Sequence, residues 1–189
     1  MSEETPGEVV AAPPEPLPEA LAQAAGGLIV GGCMAGGRPE LLTTPEQLIP
    51  LLTRLGRELP EPFSRLTDLC GVDVGDRLHV VYALCRGYTG EMILVKVEAP
   101  RRGAELPTAT GLWRLAEWAE REVAEMFGVV FGGHPNPQPL LLPEGFAGHP
   151  LLKDYVYDRE NPLLSPDPLR EDPDTVLGTP PAEAEGGEE

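Results

Sequence analysis

The clearest apolar rhythm in the first third of the chain is Leu48, Leu51, Leu52 and Leu55, which recur at helical spacing. Thr44-Pro45-Glu46-Gln47 stands in front of them as a capping box, with a threonine cap, a proline at the first helical position and a glutamine at the third. A helix is predicted from there to Leu59, before Pro60, with Pro50 kinking or delaying it. Two runs then alternate and are rich in β-branched residues, Leu78 to Cys85 and Met92 to Ala99, which predicts two strands. The short segment between them, Arg86 to Glu91, has two glycines and suits a hairpin loop. Val80, Tyr82 and Leu84 share one face of the first strand, opposite His79, Val81, Ala83 and Cys85, and His79 reads as structural in that setting. From Leu112 to Phe127 a helix is predicted, with Leu112, Leu115, Ala116, Ala119, Val123, Met126 and Phe127 as its apolar stripe. Glu117 precedes Arg121 by four residues, the favourable order for an ion pair, and Gly128 supplies the stop. Val129-Val130-Phe131 suits a short final strand, and Leu28-Ile29-Val30 a short edge strand cut off by Gly31 and Gly32.

Beyond Gly132 the prolines come every few residues and no period is sustained, yet the segment is rich in Leu, Phe and Tyr. An extended arm that lays apolar anchors on another surface accounts for both properties, and is preferred to an arm folded back over its own domain. The expected organisation is a flexible acidic tail over 1–20, an α+β core domain over 21–132, an extended docking arm over 133–164 and a second acidic tail over 165–189. The core is expected to hold a mixed or antiparallel sheet packed with helices, followed by the proline-rich C-terminal arm.

Charge changes this picture little. The formal charge of -17 belongs mostly to the two ends, and Leu21 to Leu164 carry 18 acids against 13 bases, ordinary for a soluble domain. With no basic stripe to neutralise phosphates, nucleic-acid binding is not expected. Cys33, Cys70 and Cys85 form no CxxC pair, so neither an iron-sulfur nor a zinc framework is indicated, and their use fits a reducing compartment. The acidic, proline-rich start is the opposite of a secretory n-region, and the most apolar window, Leu21 to Ala35, is too short to cross a bilayer.

Glu120-Arg121-Glu122 is the most chemically suggestive cluster. Residues two apart on a helix point about 200 degrees apart, so Glu120 and Glu122 do not converge on one substrate atom and a structural role is favoured. Arg121 offers a planar fork, for which Glu144 or Asp154 in the arm is the expected partner. Trp118 reads as a core or interface anchor. A rival reading gathers His134, His149 and Glu144 or Asp154 around a hydrolytic zinc, which their long spacing in proline-flanked loops disfavours. A freestanding interaction module is a third reading.

Several separated motifs stand together: Glu120-Arg121-Glu122, Glu125-Met126-Phe127-Gly128, Gly133-His134-Pro135, Leu142-Pro143-Glu144, Gly148-His149-Pro150-Leu151 and Lys153-Asp154-Tyr155. Upstream lie Phe63-Ser64-Arg65-Leu66-Thr67-Asp68-Leu69, Val72-Asp73 and Leu106-Pro107-Thr108. In order and spacing they resemble the C-type subunit of complex I-type NADH:quinone oxidoreductases of the respiratory chain, over roughly Thr44 to Tyr157. The resemblance implies a non-catalytic structural and assembly subunit of the peripheral arm of a proton-translocating enzyme. It would dock on the large quinone-site D-type subunit and neighbouring peripheral-arm subunits, on the cytoplasmic face of the inner (plasma) membrane, with membrane contact only through the complex. It also implies no independent active site and no cofactor on this chain, FMN and iron-sulfur clusters residing in other subunits. The residues carried as family-motif or interface positions are Trp118, Glu120, Arg121, Glu122, Phe127, Gly128, His134, Pro135, Pro143, Glu144, Phe146, His149, Pro150, Lys153, Asp154 and Tyr155. The sequence departs from the pattern at Gln138, Pro139 and Leu152, where basic residues are expected. Charge-assisted contacts are expected to be missing there, so either the partner has changed in step or the chain belongs to a divergent branch such as the equivalent subunit of energy-converting membrane hydrogenases.

Overall fold

A computed structural model describes residues 15–156; most of the expected tail over 1–20, the end of the expected arm (157–164) and all of the tail over 165–189 lie outside them. In chain order the elements are α1 (Glu19–Ala25), β1 (Gly31–Ala35), β2 (Arg38–Thr43), α2 (Pro45–Thr53), β3 (Arg65–Asp73), β4 (Arg77–Cys85), β5 (Met92–Pro100), β6 (Glu105–Pro107), α3 (Ala116–Phe127) and β7 (Val130–Gly132). The fold is α+β, with a five-stranded mixed sheet in the order β1-β2-β5-β4-β3, only the β2–β5 pair being parallel, and a two-stranded parallel β6-β7 ribbon beside it.

The alternation read along Met92 to Ala99 is the physical basis of the sheet. Ile93, Val95, Val97 and Ala99 are buried on one face, while Met92, Leu94, Lys96 and Glu98 are only half-buried on the other. Across the ladder Val97 meets Val80, Val95 meets Tyr82 and Ile93 meets Leu84, so the face predicted for β4 continues straight through. The helices cover this face, α2 against β2 and β5 and α3 against β3, in one core with Leu48, Leu51, Leu52, Leu55, Val123 and Phe127. The opposite face carries the Lys96–Glu40 and Arg77–Glu98 ion pairs beside the buried Val81, Ala83 and Cys85 of β4.

Five elements differ from expectation. Leu28 closes a 3-10 turn, not a strand, and the strand begins at Gly31; Gly32 is required there, since a Cβ would stand 2.4 Å from Leu17 Cδ1 and 2.8 Å from Glu40 O. Thr44 is extended as a cap should be, yet its side chain makes no bond to the helix backbone, so the capping box is not closed. Pro50 lies inside α2, which runs on and loosens into a π-helical turn over Arg54–Glu58. The C-terminal helix starts a turn later than Leu112, at Ala116, with the Trp113 indole N–H donated to Ser64 O at 2.9 Å. Finally, the first described residues are structured: Met34 N–H donates to Glu15 O, Leu17 packs on the core and α1 begins at Glu19. The expected tail of 1–20 therefore does not reach residue 20.

No helix among the described residues is long and apolar enough to cross a membrane.

Candidate functional site

The motif residues converge on α3, which presents two different stripes. The inward one is Ala116, Glu120, Val123 and Phe127, so a carboxylate sits in the middle of the buried side. The second is Glu117, Arg121 and Glu125, spaced one turn apart, and the arm runs along it in the same direction as the helix. His134 Nε2 lies 3.0 Å from Glu117 O, Arg121 donates to Gln138 O at 2.7 Å and Pro139 O at 2.8 Å, and Glu125 accepts from Leu141 N–H at 2.9 Å and Leu142 N–H at 2.7 Å. At the same turn His149 Nδ1 lies 2.8 Å from Glu125 O, and Leu151 N–H donates to Met126 O at 3.2 Å. An irregular segment has many unpaired backbone groups, and this stripe supplies partners for several of them.

The arm is therefore folded along its own domain from His134 to Asp154, the arrangement that the sequence ranks second to an arm laid on another surface. Its far end is fixed electrostatically. Arg101 grips the buried Asp73 at 2.7 to 3.1 Å with one edge and Asp154 at 2.9 to 3.1 Å with the other. Arg102 adds a 3.1 Å contact to Asp154, and the Lys153 N–H donates to Asp73 at 2.8 Å. The Arg101 guanidinium, then the Lys153 N–H, hold the Asp73 carboxyl well below the usual carboxylate range, and Asp73 in turn raises Arg101.

These contacts correct several pairings expected from sequence. Arg121 binds backbone carbonyls and stacks over Trp118 at 5.2 Å, while Asp154 is taken by Arg101 and Arg102 and Glu144 is exposed. The Glu117–Arg121 ion pair is replaced by the carbonyl contacts of Arg121. Gln138 and Pro139 contribute only their carbonyls to this fork, so the Arg121 contacts do not depend on which side chains stand there. Leu152, the third departure, is half-buried and packs against the core. His134 and His149 address helix carbonyls two turns apart and do not converge. Among the described residues no group of three or more His, Cys, Asp or Glu is placed to hold a metal ion.

The remaining positions divide by exposure. Glu120 is fully buried and Glu122 exposed, as their angular separation requires. Phe127 is core, and Gly128 ends α3 with φ 78°, where a Cβ would stand 2.6 Å from His149 Nε2. Phe146 and Tyr155 stack on each other with centroids 6.1 Å apart, both half-buried. Pro150 is half-buried, while Pro135, Pro143 and the Lys153 side chain face solvent. Trp118 is 55% exposed, with Leu115, Leu141 and Leu151 also exposed. Arg101 and Asp73 were not foreseen as arm anchors: they lie 53 and 81 positions from Asp154, and no local pattern announces a pairing across that distance.

Comparison with known proteins bears on this arrangement. Residues 41–161 match the family described as respiratory-chain NADH dehydrogenase, 30 Kd subunit. The C 1 subunit of NADH-quinone oxidoreductase from Rhizobium etli is 42% identical over 138 residues, covering 71% of this chain and 68% of that protein. The C/D subunit of NADH-quinone oxidoreductase from Pseudomonas aeruginosa is 41% identical over 129 residues, covering 63% of this chain but 22% of the C/D protein. The chain thus spans about a fifth of such C/D relatives. A solved trypsin-resistant fragment of Nqo5, residues 1–134, is 28% identical with a TM-score of 0.50, covering 62% of this chain and 96% of the fragment. An archaeal membrane-bound sulfane sulfur reductase complex contains a chain sharing the fold at 22% identity and a TM-score of 0.55, covering 67% of this chain and 77% of that one.

Proposed function

Because the chain belongs to the respiratory-chain NADH dehydrogenase 30 Kd subunit family, we propose that it is a non-catalytic assembly subunit of a proton-translocating NADH:quinone oxidoreductase. In this reading it docks on the large quinone-site D-type subunit, on the cytoplasmic face of the membrane, and reaches the bilayer only through the complex. It binds no cofactor itself, FMN and iron-sulfur clusters belonging to other subunits. The observation that carries the proposal is the set of relatives named C/D, in which a sequence like this one fills about a fifth of a longer chain. Two functions named together on one polypeptide are held at a fixed ratio and at high effective concentration, as suits subunits that act side by side.

The docking face in this proposal is the outer side of α3 and its arm, where Leu115, Trp118, Leu141 and Leu151 are exposed. Large aromatics dominate interface energetics when desolvated, and the arm's anchorage through Arg101 and Arg121 pre-organises the surface so that little ordering remains for the docking step. Purification from native membranes through a tag on this chain tests the reading. A D-type subunit should co-elute in stoichiometric amount, while the chain expressed alone shows protein absorbance only. Recovery of this chain free of any D-type subunit, or with a stoichiometric visible chromophore of its own, contradicts it.

A further inference from the structure

The buried stripe of α3 contains one residue that packing does not explain. Glu120 is fully buried, and its carboxylate meets neutral donors: Thr108 Oγ1 lies 2.6 Å from Oε2, and the Ala109 N–H donates to Oε1 at 2.6 Å. The nearest cationic candidate is His134, whose Nε2 is 4.0 Å from Oε2. That ring is already committed: the Glu117 carbonyl, which only accepts, lies 3.0 Å from Nε2 and assigns the proton there, while Nδ1 accepts the Asn136 N–H at 3.1 Å. Both ring nitrogens are thus already engaged by backbone groups. From the sheet side comes Tyr82 of β4, fully buried, with a hydroxyl that has no hydrogen-bond partner. Arg121, next in sequence, is turned to the arm and to Trp118.

Taking a carboxylate anion out of water without a counter-charge is costly, and the usual escape is to bind a proton. The hydroxyls at the site permit this without moving any heavy atom. Thr108 Oγ1 also lies 2.9 Å from Thr110 Oγ1 and accepts the Thr110 N–H at 3.2 Å. With Glu120 ionised, Thr108 donates to it; with Glu120 protonated at Oε2, the acid donates to Thr108 and Thr108 donates to Thr110. From this geometry we propose that Glu120 is a buried proton-binding site, loaded at the junction where β6, α3 and the arm meet. Burial pushes the carboxyl upward, against the opposing pull of the Thr108 and Ala109 bonds and of His134. Burial and then the Glu120 charge push the Tyr82 phenol upward as well, which keeps it protonated.

The linkage has a definite sign. A carboxyl whose folded-state value lies above its unfolded value contributes stability that is complete below the unfolded value and is lost as pH rises through the folded one. The site is tested on the full chain by following the Glu120 side-chain carboxyl carbon by NMR across pH, together with equilibrium unfolding of Glu120→Gln at acid and alkaline pH. The expected midpoint lies above the ordinary glutamate value of about 4.3, and Thr108→Val, which removes the donor to the anion, moves it higher. Glu120→Gln imitates the protonated acid, so its stability relative to the parent should rise with pH. A midpoint at or below the ordinary value, or a Gln variant that loses ground to the parent as pH rises, overturns the proposal. If Glu120→Gln does not fold, the titration of the parent chain decides alone.

Discussion

Gly71 of β3 lies directly beneath the ring of Phe127 of α3, so closely that a Cβ at residue 71 would stand 2.4 Å from Phe127 Cδ2. The missing side chain on the strand is what lets the last turn of the helix sit on the sheet, and the arm is laid along that helix. Gly71→Ala should therefore destabilise the domain by about 1–3 kcal/mol through overpacking. In the background of Phe127→Leu the same substitution should cost less, and equilibrium unfolding of the four proteins measures this coupling.

Arg101 should behave as the clamp of the arm's far end. Arg101→Leu is expected to raise amide exchange at residues 150–156 while leaving the central strands protected, and Arg101→Lys should not restore protection, because one ammonium cannot serve two carboxylates in the way a planar guanidinium does. Asp73 gives this contact a pH signature. Its carboxyl is held low in the folded chain by Arg101, so its contribution is present above the unfolded aspartate value and is lost as pH falls through the lowered one. Asp73→Asn should be less stable than the parent at neutral pH, the gap narrowing in strong acid.

The departures at Gln138 and Pro139 make a contrasting case. Arg121 reads only their carbonyls, so Gln138→Lys should leave stability within about 0.5 kcal/mol, as for an ordinary surface change. Arg121→Ala removes both bonds and should increase protease sensitivity across residues 134–142.

Much of the fold was legible from residues, and the failures have physical causes. The two strands β4 and β5, the alternation of β5 and the glycine stop of α3 all hold, while β4 is buried on both faces from Val80 to Cys85. β3 escaped detection because a register shift between Leu66 and Asp68 breaks its two-residue period. The β1–β2 hairpin escaped because its first strand is largely glycine and small residues with no deeply buried side chain. The inward stripe of α3 was legible except at two positions: Ala116, Val123 and Phe127 are buried and Leu112, Ala119 and Met126 pack on the core, but Glu120, read as polar, occupies its centre and Leu115, read as apolar, is exposed. The arm's contacts were illegible for a different reason: His134, His149 and Arg121 bind backbone carbonyls, which every residue has.

At the N-terminal side the structure revises where truncation begins to matter. Removing residues 1–14 deletes none of the described contacts and should leave thermal unfolding unchanged. Removing 1–20 takes away the Glu15 bridge to Met34 and the Leu17 side chain packed on Gly32, and should lower the melting temperature measurably.

The central claim, that the outer side of α3 and its arm serves assembly, is tested most directly by comparing Trp118→Ala and Leu151→Ala with Phe127→Ala in paired measurements: unfolding of the lone subunit, and recovery of a D-type subunit through a tag on this chain. Trp118 and Leu151 are each 55% exposed and Phe127 is 8% exposed. The two surface variants should unfold like the parent yet recover less partner, a hot-spot truncation costing about 2 kcal/mol or more, whereas Phe127→Ala should lose about 3–5 kcal/mol of the subunit's own stability. Full recovery of the D-type subunit by both surface variants would contradict the account.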